Sequence, residues 1–375
     1  MNTVGEKMHP VVGRTFSGLR AQQVFFPSAA LFAAVAPWLL LGSLYGWFQP
    51  LVDVATHARG MLFGYVGALI AGYLGGKLSA SQMAALFGLW LAGRMVEVCA
   101  DEPRIVNFLY AAFGLYLATI VVPRFAAAKK WRNRIIGPLL TIIICFPIIL
   151  LAVGASDLSL SLSLHSLVLL IALLMFFMGG RFVTPLLARA YAKKSEKLPK
   201  RIQPRLEGAV MLLLLIASLL SVTPAAPVWL AAATGTSGVL VLVRLYRWKL
   251  FGLGWRHADL KALGFGYLWL GVGLLVFSLS LSRGLPIMAS LHIITVGALG
   301  TLSTTIMLNL TAKTITRPPA VYYTVILLLF MATIARFLVD TFPVERQMLL
   351  IVSALMWSSN FVIAGFFIVP RKGGA

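Results

Sequence analysis

Residues 160–182 read Leu-Ser-Leu-Ser-Leu-His-Ser-Leu-Val-Leu-Leu-Ile-Ala-Leu-Leu-Met-Phe-Phe-Met-Gly-Gly-Arg-Phe. Between His165 and Arg181 there is no ionisable side chain, and the stretch is long enough for a helix to cross the hydrocarbon of a bilayer, which takes roughly 20 apolar residues. Similar runs lie at 25–48, 60–78, 81–100, 104–124, 135–154, 206–223, 227–246, 263–282, 286–311, 319–339 and 347–369, predicting about twelve crossings. The chain as a whole agrees. Its 375 residues are 60% hydrophobic and only 11% charged, with a mean hydropathy of +0.92, outside the range of soluble domains. The longest connection, from about Phe182 to Leu206, is too short for a soluble domain. The expected fold is therefore all-α: a polytopic transmembrane helical bundle of about 12 spans at 25–369, with an N-terminal segment (1–24) and a short C-terminal tail (370–375). The first apolar run is too long for a secretory signal and lacks a small-residue cleavage site, so it is expected to be retained as a helix.

Lys and Arg outnumber Asp and Glu by 32 to 11. In a soluble protein such an excess would suggest a nucleic-acid partner; here its placement sets topology instead. Basic residues gather in alternate connections: the N-terminal tail, Lys77, Arg124 to Arg134, Arg181 to Arg205, Arg244 to Lys261, Lys313 with Arg317, and Arg371 with Lys372. The opposite face keeps Arg59, Arg94, Arg104, Arg283, Arg336 and Arg346, together with most of the acids. Positive charge marks the cytoplasmic side, so both ends are expected in the cytoplasm, the basic loops meeting anionic headgroups of a bacterial-type bilayer and no nucleic acid being bound. Trp47, Trp131, Trp229, Trp248 and Trp255 fall at predicted boundaries and read as interfacial anchors. Cys99 and Cys145 are far apart, so neither a disulfide framework nor a CxxC site is expected. The absence of HExxH, P-loop, GxSxG and dinucleotide motifs argues against hydrolytic and phosphoryl-transfer chemistry.

Within the spans, Gly64, Ala68, Gly72 and Gly76 form a smooth stripe, suited to close helix packing or to a planar cofactor lying beside the helix. Pro37 and Pro147 are expected to kink their spans. Ionisable groups inside a bilayer are costly and tend to face a cavity, a partner or a cofactor. His57, His165 and His292 all fall near the outer ends of their spans, at one bilayer level. Each either hydrogen-bonds a neighbouring helix or ligates a metal, neutral imidazole being a good ligand for haem iron or copper. Arg94, Arg181 and Arg336 either snorkel to the headgroups or pair with the propionates of a buried haem or another anion. Asn309 reads as an amide bridging helices.

Over His57-Ala58-Arg59-Gly60-Met61-Leu62-Phe63-Gly64-Tyr65 and Ile70-Ala71-Gly72-Tyr73-Leu74, the chain resembles the NnrS family of twelve-helix membrane proteins. The resemblance recurs in order at Gly18-Leu19-Arg20, Trp90-Leu91-Ala92-Gly93-Arg94, Lys130-Trp131-Arg132-Asn133, Gly179-Gly180-Arg181, Gly266-Tyr267-Leu268-Trp269-Leu270, at 291–300 from Leu291-His292 to Leu299-Gly300, and at Thr316-Arg317-Pro318-Pro319. It implies an inner-membrane protein that binds haem and copper and is linked to nitric oxide metabolism or resistance. The residues it points to are His57 and His292 as metal ligands, His165 less so, with Arg94 and Arg181 on the cofactor. The family's second-span signature is His-Ala-His-Glu-Met, where this chain has Arg59 for the second histidine and Gly60 for the glutamate. A histidine typical of the end of the tenth span is Thr314 here. With two ligand positions replaced, the resemblance supports haem further than copper.

The resulting expectation is a haem-binding membrane protein contributing to a nitric oxide or nitrosative stress response or to denitrification. A small-solute transporter or channel is the alternative suggested by the many-helix architecture and by buried polar residues such as Asn309 and Thr304. A third reading, an assembly or sensing partner of another membrane protein or a homo-oligomer, is suggested by the glycine stripe.

Overall fold

A computed structural model describes residues 19–100, 102–127, 134–153, 157–193, 203–223, 227–312 and 317–369, without the side chains of 153, 157–162 and 251. The N-terminal tail with His9, and also Trp131 and Thr314, lie outside these residues. Each apolar run is mainly helical within them, the second ending in a short strand. In chain order the helices are α1 (Ala21–Leu44), α2 (Val54–Arg59), α3 (Val66–Leu74), α4 (Ala80–Cys99), α5 (Pro103–Ala126), α6 (Ile136–Ile144), α7 (Phe146–Val153), α8 (Asp157–Ala192), α9 (Pro204–Leu220), α10 (Pro227–Arg247), α11 (Ala258–Ser282), α12 (Met288–His292), α13 (Gly300–Thr311), α14 (Pro319–Leu338) and α15 (Arg346–Ile368). Two wide π-helical segments, Gly60–Tyr65 and Ile293–Leu299, join α2 to α3 and α12 to α13. Strands β1 (Leu19–Arg20) and β2 (Lys77–Leu78) form a small antiparallel clasp.

Among the described residues, eight helices are long and apolar enough to cross a membrane, and the protein is an all-α, multi-pass membrane protein. The other apolar runs fall short for local reasons. The second rod carries His57 and Arg59 in its first turns; α4 carries Arg94 and Glu97; the fifth rod is interrupted at Cys145, between α6 and α7; and α9 has only 17 residues. The interruption at Cys145 has a covalent cause. Pro147 cannot donate to the preceding turn and its ring crowds the carbonyl there. Gly114 of α5 sits against that break, where a Cβ would collide with the Ile144 carbonyl oxygen.

Close backbone approaches assemble the bundle. α1 packs on α3 and α15, and α10 lies along α11. At the α10–α11 crossing, a Cβ on Gly238 would lie 2.9 Å from the carbonyl oxygen of Gly271. Small residues at such crossings let dispersion contacts and backbone dipoles do the work that the hydrophobic effect does in water. The second-span stripe is filled by side chains: Arg94 lies against Gly64 and Phe26 against Gly72. At the end of the stripe Gly76 adopts φ +66°, with Arg124 beside it.

Two expectations need correction. Trp248 is not an interfacial anchor: it is 1% exposed and packs edge-on against Tyr267, with ring centroids 4.8 Å apart. By contrast Trp47, Trp229 and Trp255 are exposed. Arg244, counted among the loop cations, is 4% exposed, pairs with Glu207 at 2.8 Å and stacks over Phe176 and Trp248. Desolvated cations need both a counter-charge and a polarisable wall, and Arg244 has them.

Candidate functional site

His57 and His292 stand at the starts of the second and tenth rods, where each rod is about to change its winding. Asp53 caps α2, its Oδ1 accepting from the Thr56 amide at 2.6 Å, and this fixes the turn that carries His57. The Nδ1 of His57 is buried without a hydrogen-bond partner. His292 closes α12, and its Nδ1 lies 2.8 Å from the Met288 carbonyl. A carbonyl only accepts, so that nitrogen is the donor and Nε2 carries the lone pair. In His292 one nitrogen is thus held by backbone and the other is left for a ligand, the arrangement that orients metal-binding histidines, and His57 offers a buried Nδ1 without a partner.

The fold brings the two rings into one electrostatic neighbourhood, and Arg336 of α14 acts on both. Nη1 of Arg336 is itself buried without a hydrogen-bond partner. Among the described residues no group of three or more His, Cys, Asp or Glu side chains is placed to hold a metal ion. The set consists of two imidazoles and a guanidinium, which suits a large cofactor bearing carboxylates better than a bare cation ringed by acids.

Arg94 occupies a second, adjacent setting. It is 6% exposed and does not reach the headgroups, which corrects the snorkelling expectation. Nη1 lies 2.8 Å from Glu97 Oε2, and the guanidinium sits over the rings of Tyr110, at 4.4 Å, and Phe32, at 4.8 Å. Gly60 and Gly64 make room for it: a Cβ on Gly64 would come 2.5 Å from its Cζ. The pairing is by charge and not by aligned hydrogen bonds, since Nε, Nη1 and Nη2 all lack hydrogen-bond partners. Tyr110 donates to Glu97 Oε2 at 3.0 Å. Arg59 is also 6% exposed and donates to Thr56 Oγ1 at 2.9 Å, close enough to Arg94, Glu97 and Asp53 to act on all three.

The remaining candidates lie elsewhere. Arg181 is exposed on α8, 5.6 Å over the Phe177 ring and near Tyr73, at the opposite end of the second rod from His57. His165 is half-buried near the start of α8 and is not among the groups acting on His57 or His292. Asn309 accepts from Tyr322, joining α13 to α14 as a helix bridge.

Sequence reasoning left Glu97 without a partner, although its i,i+3 spacing from Arg94 inside an apolar run was a signal. The part played by Arg336 was signalled by its position at the same outer level as the histidines. Nothing in the sequence linked Tyr65 to Ser303, which meet at 2.6 Å across 238 residues.

Comparison with known proteins yields one family. The family model described as NnrS protein matches residues 20–371. No curated protein matches the chain. The matched region takes in every helix described above, with both histidines and the Arg94–Glu97 pair, and the chain belongs to the NnrS family.

Proposed function

We propose that this protein is an inner-membrane haem protein of about twelve crossings with both ends in the cytoplasm, contributing to a nitric oxide or nitrosative stress response or to denitrification. The observation that carries the proposal is a pair of histidines at the starts of two rods, each with a ring nitrogen open to a ligand: His57 Nδ1, buried without a hydrogen-bond partner, and His292 Nε2, left over where Nδ1 meets the Met288 carbonyl. His57 Nδ1 and His292 Nε2 are the atoms that would be offered to iron, and Arg336, whose Nη1 is buried without a hydrogen-bond partner, is the cation that would pair with a propionate. When bound, haem supplies an iron site for a diatomic ligand and for one-electron exchange. The chain's own contribution is to hold the rings, to exclude water with the surrounding apolar helices, and to supply the cation that an acidic cofactor requires. Copper is not part of the proposal, because Arg59 and Gly60 stand at the motif positions of two potential ligands and the Arg59 guanidinium is held by Thr56.

Protein purified after expression with ample haem should show a Soret band, weakened at least tenfold in occupancy by His57→Ala or His292→Ala, the loss expected for a lost ligand or its orienting partner. A preparation with no Soret band would remove the haem reading.

A transporter is the second reading, favoured by a polar seam between α13 and α15 in which Asn360 donates to Thr304 at 3.0 Å and leaves its own Oδ1 buried without a partner. Solute flux in proteoliposomes that persists in His292→Ala would favour that reading over haem.

A further inference from the structure

Both histidine-bearing rods carry the same irregularity in the same place. The π-helical segment Gly60–Tyr65 begins within one turn of His57, and Ile293–Leu299 begins at the residue after His292. A π turn carries one more residue than an α turn and is used mostly as a single bulge. Relaxing one to α would swing the segment before it by about 100° around the helix axis, the rotation per residue of an α-helix. The direction in which each histidine points is therefore set by the wide turn that follows it.

Side-chain donors reach carbonyls of both wide turns. Trp90 Nε1 donates to the Gly64 carbonyl at 2.8 Å. Thr301 Oγ1 donates to Gly297 and Ser303 Oγ to Leu299, each at 2.6 Å. One contact joins the two rods: Tyr65 OH lies 2.6 Å from Ser303 Oγ. Because Ser303 gives its single hydrogen to the Leu299 carbonyl, Tyr65 is the donor in that contact. Tyr65 is the last residue of its π segment and is fully buried, with Phe361 and Trp357 meeting its ring edge-on. Ser303 lies in the first turn after the other π segment.

We propose that Tyr65 and Ser303 are positioning residues that lock the two π turns to each other and so fix the angle at which His57 and His292 face one another. Neither touches the imidazoles. The consequence for the cofactor rests on the haem reading above, whereas the lock itself does not.

The test uses the full-length protein with Cys99→Ser and Cys145→Ser, spin-labelled at Val54→Cys and Met288→Cys, exposed sites on the segments that would swing. Tyr65→Phe keeps the ring and removes only the hydroxyl. The native chain should give one narrow inter-label distance. Tyr65→Phe and Ser303→Ala should each broaden it or shift it, by about 5 Å for full loss of a π turn, and the double variant should add nothing beyond either single one, as for two halves of one contact. Ser303→Thr, which keeps an acceptor hydroxyl, should restore the native distance. The same variants loaded with haem should shift the Soret maximum. An unchanged distance in both single variants would overturn the lock. Native protein with no Soret band but with the distance shifts would support the lock while removing the haem reading, so the two failures are separable.

Discussion

Glu97 is what makes the burial of Arg94 tolerable. Two ions enclosed together in a low-dielectric interior offset each other's desolvation; one left alone does not, and breaking such a pair by removing one partner costs about 3–5 kcal/mol. Glu97→Gln should therefore lower stability in detergent by that order, measured by thermal unfolding, whereas Arg94→Leu combined with Glu97→Leu should lose less because no charge is left behind. Equal losses in the two would mean that the pair does not hold this corner together. At the rim of the same cluster, Asp53 responds to acid. Partial burial raises its carboxyl affinity for protons, but the side-chain and backbone bonds from Thr56 and the charge of Arg59 outweigh this and hold it below the usual carboxylate value. A group depressed in the folded state stabilises above its ordinary value and loses that contribution as pH falls through the depressed one. The Asp53→Ala variant should thus be less stable than the native chain by about 1 kcal/mol near pH 7, the usual worth of an N-cap, with the gap closing in acid; a gap unchanged at low pH would refute the assignment. The Arg94–Glu97 spacing is plain in the sequence, but the third partner, Tyr110 on α5, is not, because contact between helices depends on rotation about their axes.

Helices in this protein were legible wherever their winding is regular, and misread where it is not. Runs such as 227–246 and 319–339 correspond within a residue to Pro227–Arg247 and Pro319–Leu338, because in hydrocarbon a backbone must satisfy its hydrogen bonds internally and length and apolarity are sufficient cues. The break at Cys145 was foreshadowed by Pro147. The π turns were not, since Gly60–Tyr65 and Ile293–Leu299 contain no proline and their small and apolar residues read like any other helical run. Crossings between helices also invite a direct check. At Gly238 an added Cβ meets the Gly271 backbone, which cannot turn aside, whereas at Gly208 nothing lies within 4 Å. Gly238→Ala should cost about 1–3 kcal/mol through overpacking, and Gly208→Ala should be neutral or slightly stabilising, since alanine is the better helix former. Matching unfolding temperatures for the two variants would show that α10 and α11 do not depend on this approach.

Orientation in the bilayer is a property of the entire chain, and it can be read from intact cells. With Cys99→Ser removing the exposed native thiol, a cysteine at Val344, which is 93% exposed between α14 and α15, should react with a membrane-impermeant reagent, while one at Tyr246, 83% exposed at the other end of the bundle, should react only after lysis. The reverse pattern would invert the topology and move the His57–His292 pair to the cytoplasmic side. Composition and charge placement were enough to require a helical membrane protein and to propose its sidedness, since transfer into hydrocarbon and attraction to one face are sums over many residues and survive ignorance of any one contact. They also placed His57 and His292 at one depth, because depth follows from counting residues along a helix. What they could not fix was azimuth: that Arg94 turns inward to Glu97 and Tyr110 while Arg181 lies exposed at the far end, that Trp248 faces inward, and that Tyr65 meets Ser303. Those facts depend on how each rod is rotated and wound against its neighbours, and that is settled only when packing and hydrogen bonding are satisfied together in three dimensions.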